Sequence, residues 1–154
     1  MESQMADAQP TYLLVPLLRA FIWFDEGLQA YLRSKGWNAV TRPQSMVMAA
    51  VAMGCVKPSQ IARMLGISRQ AIHLTINQMI EMDLLELAAD PQDRRAKIVR
   101  ISKGGQKRRQ DARAAMEYLT AELERRIGKQ NIANLTKGLN ADWGAPLTDE
   151  GEGG

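Results

Sequence analysis

The sequence predicts a mainly α-helical chain with a small β-hairpin wing: a winged helix-turn-helix set between N- and C-terminal dimerisation helices. Three observations carry this expectation. Residues 57–102, KPSQIARMLGISRQAIHLTINQMIEMDLLELAADPQDRRAKIVRIS, read as helix, Gly-containing turn, helix, strand, charged turn and strand. Two helices joined by so short a turn form a helix-turn-helix, whose second helix fits the DNA major groove. The hairpin that follows carries Asp93-Arg94-Arg95 at its tip, placed to reach a DNA backbone or minor groove. Finally, the flanking segments repeat apolar residues at helical spacing.

In chain order, residues 1–9 are polar and acidic and read as disordered. A helix is expected over residues 12–33, with Pro16 in its first turns. Leu14, Leu17, Phe21, Phe24, Leu28 and Tyr31 recur at spacings of 3 and 4, a coiled-coil-like seam. Val15, Leu18, Ile22 and Trp23 add a second stripe, so this helix needs two partners. Either it is the central core helix of a monomer or one partner is a second chain. Gly36 marks a turn, Thr41 caps helix two, and Pro43 lies in that helix's first turn. Helix two ends near Gly54, Pro58 opens helix three, and Gly66 closes it. Ile67 is expected as a buried link, and Ser68 caps helix four, whose core face is Ile72, Ile76, Met79 and Ile80. Residues 85–88 and 96–101 form the wing strands. Ser102 caps a long helix reaching about Ile127, with a stripe of Ala112, Met116, Leu119, Leu123 and Ile127. Gly128 breaks it, and a last helix carries Ile132, Leu135, Leu139 and Trp143. The expected organisation is a dimerisation helix over 10–36, a winged helix-turn-helix over 41–102, C-terminal dimerisation helices over 103–143 and a disordered tail over 144–154.

The chain has 154 residues, 45% of them apolar, enough for one compact domain with an assembly segment. Net charge is +3, but residues 57–113 hold 12 Lys and Arg against 6 Asp and Glu, while the remainder is net acidic. Positive charge gathered on the presumed DNA-facing half is the footprint of a nucleic-acid binder. The lone Cys55 forms no intrachain disulfide and fits a reducing cytoplasm; an inert thiol is the simpler reading than a redox sensor. Residues 1–9 lack the basic start of a signal peptide, and the apolar stretch 12–24 is interrupted by Pro16 and Arg19, so a cytoplasmic location and no membrane span are expected. One His and one Cys supply no metal site, and no catalytic constellation, phosphate loop or cofactor motif emerges. An enzyme is not expected.

The candidate base-reading face combines Ser68, Arg69, Gln70, His73, Leu74 and Asn77. Gln and Asn bond adenine bidentately, Arg bonds guanine, and an apolar side chain meets the thymine methyl. In the wing, Asp93, Arg94, Arg95 and Lys97 are the candidates, with Asp93 bonding backbone or Arg donors and an arginine held outward toward the minor groove. Lys97, Arg100, Lys103, Lys107, Arg108 and Arg109 are expected to bind phosphates.

Asp90-Pro91-Gln92-Asp93-Arg94-Arg95, followed by Val99-Arg100-Ile101-Ser102-Lys103-Gly104-Gly105, resembles the wing and next helix start of the MarR family of bacterial regulators. Thr41-Arg42-Pro43-Gln44 and Gln60-Ile61-Ala62 add to the resemblance, which covers about residues 12–143. It implies a homodimer with interleaved terminal helices, two lobes on a pseudo-palindromic operator in double-stranded DNA, and Arg95 in the minor groove. It also implies a small aromatic or phenolic effector in a cleft beside the DNA-binding lobe, for which Trp23, Phe24, Tyr31 and Trp37 are the candidate lining. The chain departs from the family pattern at His73-Leu74, where Thr-Arg is frequent, and at Asn77-Gln78, where Asp-Arg is frequent. Asp83 replaces the usual Gly, which asks a non-glycine residue for positive φ. The reading is a transcriptional regulator, a repressor released by a signal. The competing reading is a winged-helix protein-protein interaction module that does not read DNA sequence.

Overall fold

A computed structural model describes residues 12–147, so the expected disorder of residues 1–9, the first two residues of the 10–36 segment and the tail beyond 147 lie outside the described residues. Among the described residues the order is α1 (Leu14–Ser34), α2 (Arg42–Ala52), α3 (Pro58–Leu65), α4 (Arg69–Glu81), β1 (Leu85–Ala89), β2 (Lys97–Ile101), α5 (Lys103–Ile127) and α6 (Lys129–Leu139). The chain divides into two compact units, one ending at Leu119 and the other beginning at Thr120, within α5.

In the first unit, local chemistry sets the helix ends. Thr41 and Gln44 form a capping box: the Gln44 amide donates to Thr41 Oγ1 at 3.4 Å, and the Thr41 amide to Gln44 Oε1 at 2.9 Å. Pro43 and Pro58 sit in the first turns of α2 and α3, where a missing N–H costs nothing. Gly66 stops α3 at φ 65°, and Ser68 Oγ accepts from the Ala71 amide to start α4. Ile67, between these two signals, is 37% exposed and not buried as expected. The left-handed turn sends its side chain outward, and Ile61, Ala62 and Ile72 already fill the core on either side.

Ile72, Ile76 and Met79 of α4 are fully buried, with Ile80 packed beside them, against Val47 and Ala50 of α2, Ile61 and Ala62 of α3, and Leu85 and Val99 of the hairpin. β1 and β2 are antiparallel, with Leu85 opposite Ile101, Leu87 opposite Val99 and Ala89 opposite Lys97. The Val99 amide also donates to the Val56 carbonyl at 2.8 Å, tying the hairpin to the α2–α3 link.

The link from α4 to β1 turns at Asp83, which has φ 53°, the positive value its position demands. Ser102 locks that link to the start of α5. Its amide donates to the Leu84 carbonyl at 3.1 Å, its hydroxyl to the Asp83 carbonyl at 2.6 Å, and the hydroxyl oxygen accepts from the Gly105 amide at 2.9 Å.

The face of α1 that is buried in its unit is Asp25, Gln29 and Leu32, not the apolar seam. Leu14 is 75% exposed, and Leu18 and Phe21 are also exposed. On α5 the buried residues of this unit are Gly105, Arg108, Ala115 and Leu119, while Met116 of the expected stripe stays exposed.

In the second unit, Gly128 with φ 92° separates α5 from α6. Glu122 pairs with Arg126 at 2.6 Å and Arg125 at 2.7 Å, and these guanidinium groups hold its carboxyl down to about 2. Ile132 is buried, whereas Leu135 and Leu139 are exposed. Trp143 lies beyond the end of α6, not within it as expected, because the helix stops at Asn140; its indole N–H donates to the Gly138 carbonyl at 2.9 Å. No helix among the described residues is long and apolar enough to cross a membrane.

The approach of α5 to the α4–β1 link gives a direct test. A Cβ on Gly105 would collide with the Leu84 backbone carbonyl, whereas one on Gly104 mainly meets the Asp83 carboxylate, which can swing away. Gly105→Ala should lower stability by about 1–3 kcal/mol, as overpacking does, and Gly104→Ala by less, measured by urea denaturation.

Candidate nucleic-acid interface

The outer face of α4 presents Arg69, Gln70, His73, Leu74 and Asn77, all exposed. None of the polar side chains among these five forms a hydrogen bond to another described residue, so their donors and acceptors face solvent. Leu74 is 61% exposed at the centre of this face. Ser68 is committed differently: its hydroxyl oxygen caps the helix. The Thr75 hydroxyl donates back to the Ala71 carbonyl at 3.0 Å and takes no part in the outer face.

The wing tip, residues 90–96, is braced by its own backbone. The Asp90 amide donates to the Ala96 carbonyl at 3.1 Å, the Ala96 amide to the Asp93 carbonyl at 2.9 Å, and the Arg95 amide to Asp93 Oδ1 at 3.0 Å. Asp93 thus spends its carboxylate on the turn, not on an arginine side chain. Arg94, Arg95 and Lys97 are exposed.

Asp90 is the buried anchor beneath this tip. Its Oδ1 accepts from the Gln92 amide at 2.9 Å, and its Oδ2 lies 3.2 Å from Lys57 Nζ at the start of α3. The Gln92 amide, and after it the Lys57 ammonium, hold the carboxyl below its usual range despite burial. Neither Asp90 nor Lys57 is among the candidate site residues that the sequence offers. An Asp before Pro and two residues before a turn amide is an Asx-turn pattern, which would have found the first half of this arrangement.

Arg100 stays exposed while pairing with Glu86 across the hairpin at 2.9 Å. One expected phosphate ligand is corrected. Arg108 is 4% exposed, because it falls on the buried stripe of α5 with Gly105 and Ala115. Lys103, Lys107 and Arg109 remain exposed.

A cavity of about 490 Å³ lies between α1, α2 and the first half of α5. Of the four aromatic side chains expected to line an effector cleft, only Phe24 does so. Trp23 packs edge-on against Phe24 at 5.0 Å, Tyr31 lies 6.2 Å from Tyr118, and Trp37 donates its indole N–H to Asp111 at 2.7 Å. They are dispersed because they project in different directions from α1 and from the turn after it. The cavity wall is instead largely aliphatic, with Asp25, Gln29, Ser45, Arg108, Arg109 and Arg113 as polar members.

Asp90 supplies a pH-dependent prediction. A carboxyl whose pKa is depressed by folding stabilises the fold above the ordinary carboxylate range, and that contribution is lost as pH falls through the depressed value. Carboxyl-carbon NMR should show Asp90 titrating below a free aspartate. Lys57→Met should raise its midpoint only part of the way, because the Gln92 amide remains. A full return to the free value would mean that the backbone bond is not the larger influence.

Residues 40–96 match the MarR family. No curated protein matches the chain. Among solved structures, the transcriptional regulator PA4135 superposes with a TM-score of 0.66 at 21% identity, covering 84% of this chain and 94% of that one. Wild-type MarR from E. coli in its apo form gives 0.64 at 17% identity, covering 85% and 96%. The multiple antibiotic resistance repressor MarR gives 0.65 at 16% identity, covering 86% and 98%. These likenesses establish the fold along most of the described chain, and the sequence match spans α2 to α4, β1 and the wing tip. The chain has a winged helix-turn-helix fold, and its residues 40–96 are similar to the MarR family.

Proposed function

We propose that this chain is a DNA-binding transcriptional regulator that acts as a homodimer on a pseudo-palindromic operator, as a repressor relieved by a small-molecule signal. The observation that carries the reading is the pairing of an uncommitted polar face on α4 with a braced wing whose Arg94 and Arg95 stay exposed. A side chain already bonded within its own chain must break that bond to read DNA, whereas Arg69, Gln70, His73 and Asn77 have none to break. Resemblance to a protein named a repressor supports the direction of regulation.

Dimerisation is argued from what each unit leaves uncovered. The first leaves Leu14, Leu18 and Phe21 of α1 exposed, and the second leaves Leu135, Leu139 and Trp143 exposed. Apolar side chains grouped on short segments mark a surface that associates. A two-fold second copy offers the same surfaces in return. The segments 10–36 and 103–143 then serve assembly and 41–102 serves DNA, with half-sites about one helical turn apart.

The competing reading, a module that binds protein, draws on Leu74, an exposed apolar residue at the middle of the α4 face. Electrophoretic-shift titration with the DNA flanking the chain's own gene separates the two. Arg95→Ala should weaken binding to every sequence and flatten its salt dependence, because it removes a cation that displaces counterions. Gln70→Ala and His73→Ala should instead relax preference at particular base pairs by roughly 1–3 kcal/mol each. Sequence-independent loss in all three variants would exclude base reading by α4.

Light scattering at micromolar concentration should give a dimer mass. Leu14→Glu combined with Leu18→Glu should shift it toward monomer and reduce DNA affinity, because two charges would face an apolar partner surface. A wild-type monomer that binds operator specifically would exclude the assembly.

A further inference from the structure

The outer face of α4 sets an apolar side chain, Leu74, among polar ones. Gln70, His73, Leu74 and Asn77 fall at i, i+3, i+4 and i+7, so they form one strip along the helix. Ile72, Ile76 and Met79 take the opposite, buried side, and the core has no need of Leu74, which is 61% exposed. Gln70 and Gln78 lie one turn before and one turn after it, with Asn77 beside them. All three carboxamides are exposed, and none bonds another described residue.

A single exposed leucine needs no explanation on an ordinary surface. On a face that fits the major groove, it selects what it can meet. The apolar feature of the groove floor is the C5-methyl group of thymine, whereas a G·C pair presents N7, O6 and an amino group. Pressed on those polar atoms, a leucine removes their water and returns no hydrogen bond, which is unfavourable. Pressed on a thymine methyl, it buries apolar surface on both sides.

The neighbours act in the same direction, because Gln and Asn bond adenine N6 and N7 bidentately. Arginine, the common guanine reader, occurs on α4 only at Arg69, its first residue. Glu81 continues the strip but is the last residue of α4, at the end that leaves the groove when such a helix docks by its N-terminal residues. An imidazole offers both a donor and an acceptor, so His73 does not choose between the pairs. Residues 70–77 span about 10 Å of helix, the length of about three base-pair steps.

We infer that Leu74 reads a thymine methyl group at the centre of each half-site, with adenines bonded by Gln70 and Asn77 on either side, an assignment that rests on the DNA-binding function proposed above. The DNA selected by this chain then has an A·T core beneath α4, and Leu74 meets a base where the competing reading gives it a protein.

The test begins with selection of duplexes from a random-sequence library by the full chain. Electrophoretic-shift titration then follows the selected site with each thymine replaced in turn by deoxyuridine, which removes the C5-methyl group and keeps the pairing. At one thymine in each half-site the replacement should weaken binding about fourfold, the effect of one buried methyl-sized group. Leu74→Ala should bind the thymine and deoxyuridine sites alike. Arg95→Ala should bind both more weakly and keep the fourfold difference, because a wing cation acts on the phosphate charge. Leu74 is exposed and alanine is the best helix former, so the variant keeps its fold. A selected half-site with G·C beneath α4, wild-type binding indifferent to every deoxyuridine, or a Leu74→Ala variant as sensitive as the wild type would each overturn the assignment while DNA binding stands. A library from which no sequence is enriched would overturn the proposed function, and the role of Leu74 with it.

Discussion

Ser102 occupies the point on which the geometry of the DNA-facing surface depends. The link between α4 and β1 ends the helix that carries the candidate base-reading residues and begins the wing, so whatever fixes it fixes the two relative to each other. Asp83 turns there with positive φ, which costs a non-glycine residue roughly 1 kcal/mol. Three hydrogen bonds through Ser102, to the Asp83 and Leu84 carbonyls and from the Gly105 amide, offset that cost at about 0.5–1.5 kcal/mol each. The same bonds seat the first turn of α5 against the link. Gly105 allows the approach, because no larger residue fits beneath the Leu84 carbonyl. The helix-turn-helix, the wing and the start of α5 are consequently one mechanical body.

The elements of that body were legible in the sequence because each ends on a strong local signal. Thr41, Pro43, Pro58, Gly66 and Ser68 each have one conformational role that suits them, and the structure gives them those roles. The period of Ile72, Ile76 and Met79 likewise fixed which face of α4 is buried. What was not legible depends on tertiary position. Arg108 reads as one more cation in the run from Lys103 to Arg109, yet the register of α5 places it on the buried stripe. Glu86 lies far from Arg100 in sequence and meets it only through the hairpin register. The aromatic residues near the N-terminus are neighbours in sequence, but a helix and a turn disperse them, so the cavity takes Phe24 alone of the four and is otherwise lined by other residues of α1 together with α2 and α5.

Charge on this surface falls into two classes. Lys57 and Arg100 are spent on structure, one against Asp90 beneath the wing and the other against Glu86 across it. Arg69, Arg94, Arg95 and Lys97 are exposed. The paired cations hold the hairpin in place so that the exposed ones extend from a fixed base. An exposed pair such as Arg100–Glu86 stabilises by at most about 1 kcal/mol, so its main effect is on orientation. Asp90 differs because it is buried and receives both a backbone amide and an ammonium, which leaves the tip little freedom to tilt.

Helix α1 inverts the usual arrangement. Its own unit buries Asp25 and Gln29 along with Leu32 and leaves Leu14, Leu18 and Phe21 exposed. A helix that spends its apolar side outward needs a partner for it, and one that buries polar groups must satisfy them. Asp25 meets Arg42, and Gln29 meets Ser45, so both polar groups are answered from α2. Contacts of this kind are directional, whereas apolar packing is not, so they set the register of α1 on the helix-turn-helix as well as its attachment. Any movement of α1 against α2 must therefore break specific bonds, while packing alone would let the helices slide. The junction is held in one discrete arrangement by these bonds.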